Sequence, residues 1–172
     1  MIGLGDRVIF VAKNLVGLRE ATGHNDGPWI DQMLDYLGLP HHLSWCLAFV
    51  LYCYHVAVNP IPFPKIARCS LFWEQIQQNE WKYKVYTAED AAWGIVKAEA
   101  GDVMIFAHSP TPGNKNWNGH AALVVKQITP RRWGTVEGNS NVKGSREGDG
   151  VYLNERGIKN GTLLLEGIVR PR

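Results

Sequence analysis

The chain has 172 residues, 45% of them hydrophobic, and a formal net charge of +2. That length and apolar content suit one domain spanning 1–172, with enough material for a sizeable core and too little for a second. The weak positive charge, spread over scattered Lys and Arg, excludes the basic stripe of a nucleic-acid binder, and no run approaches the roughly 20 apolar residues of a membrane span.

The N-terminus lacks both a basic region ahead of its apolar stretch and a small-residue cleavage site after it, so no cleavable signal peptide is expected. Cys46, Cys53 and Cys69 are odd in number and lack CxxC spacing. This argues against a disulfide framework and a cysteine zinc site, and leaves at least one thiol outside any disulfide.

In chain order, Asp6 reads as an N-cap ahead of Val8, Val11, Ala12, Leu15 and Val16 at helical spacing. Pro28 suits a first helical position, and Trp29, Ile30, Met33, Leu34 and Leu37 continue a short second helix until Gly38 and Pro40. Ser44 precedes the apolar run Trp45 to Val58, a buried third helix ended by Asn59 and Pro60, with Cys46 in its first turn. Ser70 reads as the cap of a fourth helix carrying Leu71, Phe72, Trp73 and Ile76, and Thr87 with Asp90 as a capping box for a fifth, very short one.

Beyond Gly101 the texture changes to short runs of β-formers: Val103 to Ala107, Ala121 to Ile128, Trp133 to Glu137, Gly150 to Leu153 and Leu163 to Val169. The expectation is an α+β fold, N-terminal helices on a mostly antiparallel sheet of about five to six strands. The Gly- and Pro-rich gaps, Pro110 to Asn116 and Gly138 to Asp149, are suited to lining a cleft.

A thiol at a helix N-terminus meets the positive end of the helix dipole and unpaired N–H groups, which favour the reactive thiolate. Cys46 fits that position, although cysteine is also a common core residue in an apolar helix. Cys53, two turns on, and Cys69, outside any expected helix start, read as bystanders. Among six histidines, His120 opens a clean strand beside a loop cleft and is the best-placed base. His41 and His42, in the loop before Cys46, are candidate substrate contacts. His55 reads as a helix histidine, and His24 and His108 as loop residues.

A base needs an acceptor to fix its tautomer, and the strand after His120 ends in Val136-Glu137-Gly138-Asn139. If the two strands form a hairpin, Glu137 or Asn139 reaches the ring, and strand alternation puts both on one face. Trp29, Trp45 and Trp117 lie where aromatic rings could stack on a substrate, with Trp45 the most suited to the core.

Together the segments Asn25-Asp26-Gly27-Pro28, Gly38-Leu39-Pro40, Ser44-Trp45-Cys46-Leu47-Ala48-Phe49-Val50, Gly101-Asp102-Val103-Met104-Ile105-Phe106, Gly119-His120-Ala121 and Val136-Glu137-Gly138-Asn139 resemble the CHAP family of cysteine peptidoglycan amidases and endopeptidases. These are relatives of the NlpC-type hydrolases within the papain-like fold, and the resemblance runs from about Glu20 to Arg170. It implies Cys46 as nucleophile, His120 as general base and then acid, Glu137 as the residue orienting His120, and Asn139 as a supporting polar group. It also implies an oxyanion site at the backbone N–H groups of the helix start and a peptidoglycan or muropeptide substrate.

Some family members carry an acidic calcium loop before the nucleophile, but Leu39 to Ser44 contains no carboxylate, so no metal and no cofactor are expected. No wall-binding module is read after Arg172. A monomeric enzyme made in the cytoplasm and reaching the wall by non-classical export, lysis or injection is expected: a phage endolysin, an antibacterial effector with an immunity or inhibitor protein, or a housekeeping hydrolase. Two other readings are a papain-like protease or amidase on a non-wall amide, which substrate alone would discriminate, and a catalytically silent wall-binding domain, against which the four intact site residues argue.

Overall fold

The computed structural model describes residues 2–108, 116–141 and 148–172. Five α-helices come first among these residues, α1 Leu4–Asn14, α2 Pro28–Tyr36, α3 Cys46–Ala57, α4 Cys69–Gln78 and α5 Ala88–Ala92. One strand, β1 Tyr83–Thr87, lies between α4 and α5, and β2 Val103–His108, β3 Gly119–Thr129, β4 Arg132–Ser140, β5 Gly150–Gly157, β6 Lys159–Asn160 and β7 Leu163–Pro171 follow. The strands form one antiparallel sheet in the order β1-β7-β2-β3-β4-β5, with β6 paired to β7. The α+β expectation holds, and the sheet has seven strands among the described residues rather than five to six.

Both additional strands owe their state to a partner distant in sequence. β1 is five residues, paired along its whole length with β7 from Tyr83↔Pro171 to Thr87↔Gly167, and β6 is two residues, also on β7. A run this short carries too few periods to reveal a strand by alternation.

Strand alternation divides the apolar residues between two faces. Val103, Ile105, Ala121, Leu123 and Val136 join the core with α1 to α4, while Met104, Phe106, Ala122, Val124 and Trp133 pack with Ala91 of α5 and Val96. The unbroken apolar run of β2 follows, because that strand is covered on both faces. α3 is the central helix: Cys46 to Tyr54 are all buried, which explains an apolar sequence without a polar stripe.

Three helix starts differ from the sequence reading. α1 begins at Leu4 with Gly3 as N-cap, so Asp6 lies within the first turn, where its carboxylate still favours the dipole. α4 begins at Cys69 with Arg68 as N-cap, and Ser70 is a buried helical residue whose hydroxyl has no partner among the described residues. Cys69 therefore does occupy a helix start. α3 is preceded by Trp45 rather than capped by Ser44. The Pro28 start and the Thr87–Asp90 capping box form as expected.

Candidate active site

Cys46 is the first residue of α3, and no side chain caps that helix end. The N–H groups of Cys46, Leu47 and Ala48 precede the first helical turn bond, from Phe49 N–H to Trp45 O at 2.8 Å, so they have no carbonyl of their own helix to bind. The helix is pressed onto the sheet at Gly138 of β4, where an added Cβ would meet Phe49 Cβ at 2.5 Å and the Trp45 ring at 2.6 Å. Only a residue without a side chain lets α3 sit this close to the strand that carries Glu137.

His120, the second residue of β3, is fully buried. Its Nε2 lies 2.9 Å from Glu137 Oε2, and its Nδ1 has no hydrogen-bond partner of ordinary geometry among the described residues. Cys46 is the neighbour that interacts with the ring besides Glu137. The imidazole thus has one nitrogen held by a carboxylate and one left to serve a thiol, an arrangement that commonly tightens only when substrate binds.

Glu137 is wholly buried and is the best-connected group of the site. Oε1 accepts Thr135 Oγ1 at 2.6 Å and Arg156 Nε at 2.7 Å. Oε2 accepts Ser140 Oγ at 3.1 Å, Asn154 Nδ2 at 3.3 Å and Arg156 Nη2. Burial pushes the carboxyl up, but bonds and charge from His120 and Arg156 outweigh it and hold the group far below the usual carboxylate range. Burial likewise pushes His120 down, and its bonds to Cys46 and Glu137 reverse this and raise it to about 9.

Cys46 is held well below an ordinary thiol, first by a hydrogen bond with Cys69, then, against the opposing effect of burial, by His120 and the backbone N–H of Ala121. A thiolate–imidazolium pair is the state these surroundings favour. Cys53, in the same helix with no such partners, is pushed up by burial alone.

Cys46 opens into a cleft of about 510 Å³. Leu39, Leu43 and Ser44 form one side, Lys65 to Cys69 a second, and Trp117 to Gly119 a third. Among the described residues its lining holds two cations, Lys65 and Arg68, and no carboxylate. Among the described residues, no group of three or more His, Cys, Asp or Glu is placed to hold a metal ion, and no helix is long and apolar enough to cross a membrane.

Of the residues singled out from sequence, Cys46, His120 and Glu137 converge. Asn139 does not share Glu137's relation to the ring: it adopts φ +50° where the β4–β5 register shifts between Glu137 and Ser140, which breaks the expected alternation. Its Oδ1 is unpartnered among the described residues, and Glu137 is the residue on the imidazole. Trp117 lines the cleft. Trp45 is corrected to a core residue: it is fully buried, with its Nε1 donating to Glu20 Oε1 at 2.8 Å, and cannot stack on a substrate.

His41 and His42 also lie away from the cleft lining. His41 Nε2 is 2.9 Å from Asp35 of α2, and His42 Nδ1 is 3.1 Å from the His24 carbonyl. Most of the gap residues expected to line the cleft, 110–115 and 142–147, lie outside the described residues.

Sequence reasoning missed Arg156, Thr135, Ser140, Asn154 and Cys69. Arg156 and Asn154 carried a readable signal: continued past Leu153, the alternation of β5 puts them on one face, opposite a strand bearing an acid. The chain matches no protein-family model, no curated protein and no solved structure.

Proposed function

We propose that this chain is a cysteine hydrolase of the CHAP and NlpC type, with a papain-like arrangement, that cleaves an amide in bacterial peptidoglycan. The observation that carries the reading is Cys46 at the uncapped start of α3, facing a buried His120 whose other nitrogen is held by Glu137, with the thiol open to a cleft. Burying a histidine, a glutamate and an arginine together is costly unless every charge is paired. A silent binding domain would be equally stable with apolar groups there.

The Cys46 thiolate attacks the amide carbonyl carbon, and the carbonyl oxygen takes up the electron pair beside the open N–H groups of the α3 start. The His120 imidazolium gives its proton to the leaving amine, and a thioester on Cys46 remains. Water, losing a proton to His120, attacks that thioester and releases the acid, which restores the thiolate and imidazolium. Glu137 keeps the ring oriented through both transfers, and Arg156 with Thr135 fixes Glu137. The Lys65 and Arg68 lining, free of carboxylates among the described residues, suits the anionic groups of wall stem peptides.

The test incubates the protein and its Cys46→Ala variant with defined muropeptides and identifies products by mass. Cleavage by wild type alone is the expected result, at either the glycan–peptide junction or a bond within the peptide. Equal behaviour of the two proteins on every wall substrate refutes the proposal.

A further inference from the structure

The two helices that border the cleft both begin with a cysteine. Cys46 is the first residue of α3 and Cys69 the first of α4, and the fold places both on one cleft although 23 positions separate them. Both cysteines line the same cleft, and Cys69 is the neighbour that does most to lower the Cys46 thiol. The seat of α4 depends on Gly119, the residue before His120. A Cβ there would lie 2.6 Å from Cys69 Cβ and 2.7 Å from the Phe106 carbonyl oxygen, so only glycine admits the start of α4 this close to β3.

We propose that Cys46 and Cys69 form a reversible disulfide, driven by hydrogen peroxide, that switches the site off. The inactivation rests on the cysteine-hydrolase reading, whereas the disulfide itself does not. The three cysteines form no disulfide in this structure.

The Cys46 thiolate attacks one oxygen of the peroxide, the O–O bond breaks, and the departing hydroxide is protonated to water, leaving Cys46 as a sulfenic acid. Cys69 then gives up its proton and its sulfur attacks the sulfenic sulfur. The S–O bond breaks, the oxygen leaves as a second water, and the S–S bond forms. Two thiols are oxidised and one peroxide is reduced to two waters. The surroundings favour the first step, because Cys46 is held as a thiolate and Lys65 and Arg68 add positive charge to the cleft. Cys53 is a natural control, being sealed in the core with its thiol pushed up by burial.

The experiment treats the reduced protein with equimolar hydrogen peroxide, blocks remaining thiols with an alkylating reagent, and maps peptides by mass. The expected result is the loss of two hydrogens, a cross-linked pair of peptides holding Cys46 and Cys69, an alkylated Cys53, and full return to the reduced mass with dithiothreitol. A Cys69→Ser variant keeps a hydroxyl to bond the thiolate but cannot cross-link, so its Cys46 gains oxygen atoms that dithiothreitol does not fully remove. Cross-links through Cys53 or between molecules, or wild type oxidised to sulfinic acid without a cross-link, overturn the proposal.

The wild-type map decides the linkage even if the variant fails to fold, and Cys69→Ala offers a second substitution. Muropeptide cleavage followed through the same cycle should fall with the cross-link and return with dithiothreitol. Cleavage that persists in the cross-linked protein overturns the switch. A cross-linking protein that cleaves no wall amide refutes the proposed function while the disulfide stands.

Discussion

Asp102, at the start of β2, is buried against Arg170 of β7, and Glu137 of β4 is buried against Arg156 of β5. In the first pair, Arg170 Nε meets Oδ1 at 2.6 Å and Nη2 meets Oδ2 at 2.8 Å, while the Glu99 N–H adds a third bond to Oδ2 at 2.9 Å. The cluster is closed, and it ties β7 to the segment entering β2. In the second, the same acid–arginine unit takes a third member, His120, whose Nδ1 has no hydrogen-bond partner of ordinary geometry among the described residues. The difference separates a structural ion pair from a reactive one: charge burial is common to both, and an unfilled position on a titratable group belongs to one. The Gly101-Asp102 motif that supported the family resemblance is thereby explained as architecture, since Tyr54 Oη also donates to the Gly101 carbonyl at 2.8 Å.

The largest effects should come from the open cluster. Cys46→Ala and His120→Ala are each expected to lower kcat/KM on a cleaved muropeptide by at least about a thousandfold, as loss of a nucleophile or base does elsewhere. Asp102→Asn should leave kcat/KM within about twofold wherever the protein remains folded, because additivity holds for sites without shared partners. Steady-state kinetics under one set of conditions decides this, and a large loss in Asp102→Asn would erase the distinction.

Stability should treat the clusters alike. Removing one partner from a buried pair strands the other, so Asp102→Asn and Arg156→Met are each expected to cost about 3–5 kcal/mol in urea unfolding. They should part in the pH profile. The alkaline limb of kcat/KM should follow loss of the His120 proton, near pH 9 in wild type. Arg156→Met leaves the whole Glu137 charge to the imidazolium and should move that limb upward, while Asp102→Asn should not move it.

A smaller effect appears in acid. The Glu137 carboxyl is held below its ordinary value of 4.5, so its contribution to stability is present above that pH and is lost progressively as pH falls toward the folded-state value. Glu137→Gln should therefore be less stable than wild type at pH 6, and the gap should narrow steadily below pH 4.5. Urea midpoints at several pH values measure it, and a gap independent of pH would show that the bonds to Glu137 do not depend on its charge.

Much of this architecture was legible because it is local. Pro28 at a helix start, Thr87 with Asp90, and the runs of β-formers in β2 to β5 and β7 are each written within a few residues. Cys46, His120 and Glu137 were reachable through a helix start and a hairpin, both local devices. Arg156 needed the alternation of β5 carried past Leu153 and laid on β4, whereas Cys69 was not legible, because it becomes functional only through packing across the chain, α4 laid against the start of β3. Asn139 shows the reverse case. Alternation placed it beside Glu137, but a register shift and a left-handed backbone turned it elsewhere.

The smallest effect tests which loop forms a substrate wall. His41 sits in the segment before Cys46, yet its ring bridges Asp35 at 2.9 Å and Asp31 at 3.5 Å on α2, and the group is exposed. Hydrogen bonding to Asp35 raises its titration, but solvent screens such a pair and leaves it little influence on folding. His41→Ala should leave both kcat/KM and the urea midpoint unchanged within error, with loss of one raised imidazole titration in NMR as proof of the change. Arg68 lies on the cleft beside Cys69, with no ion pair among the described residues. Arg68→Gln should raise KM several-fold on an anionic muropeptide and leave kcat unchanged, because it removes attraction that ground and transition states share. If His41→Ala raises KM and Arg68→Gln does not, substrate runs along the loop before α3 rather than along the segment before α4.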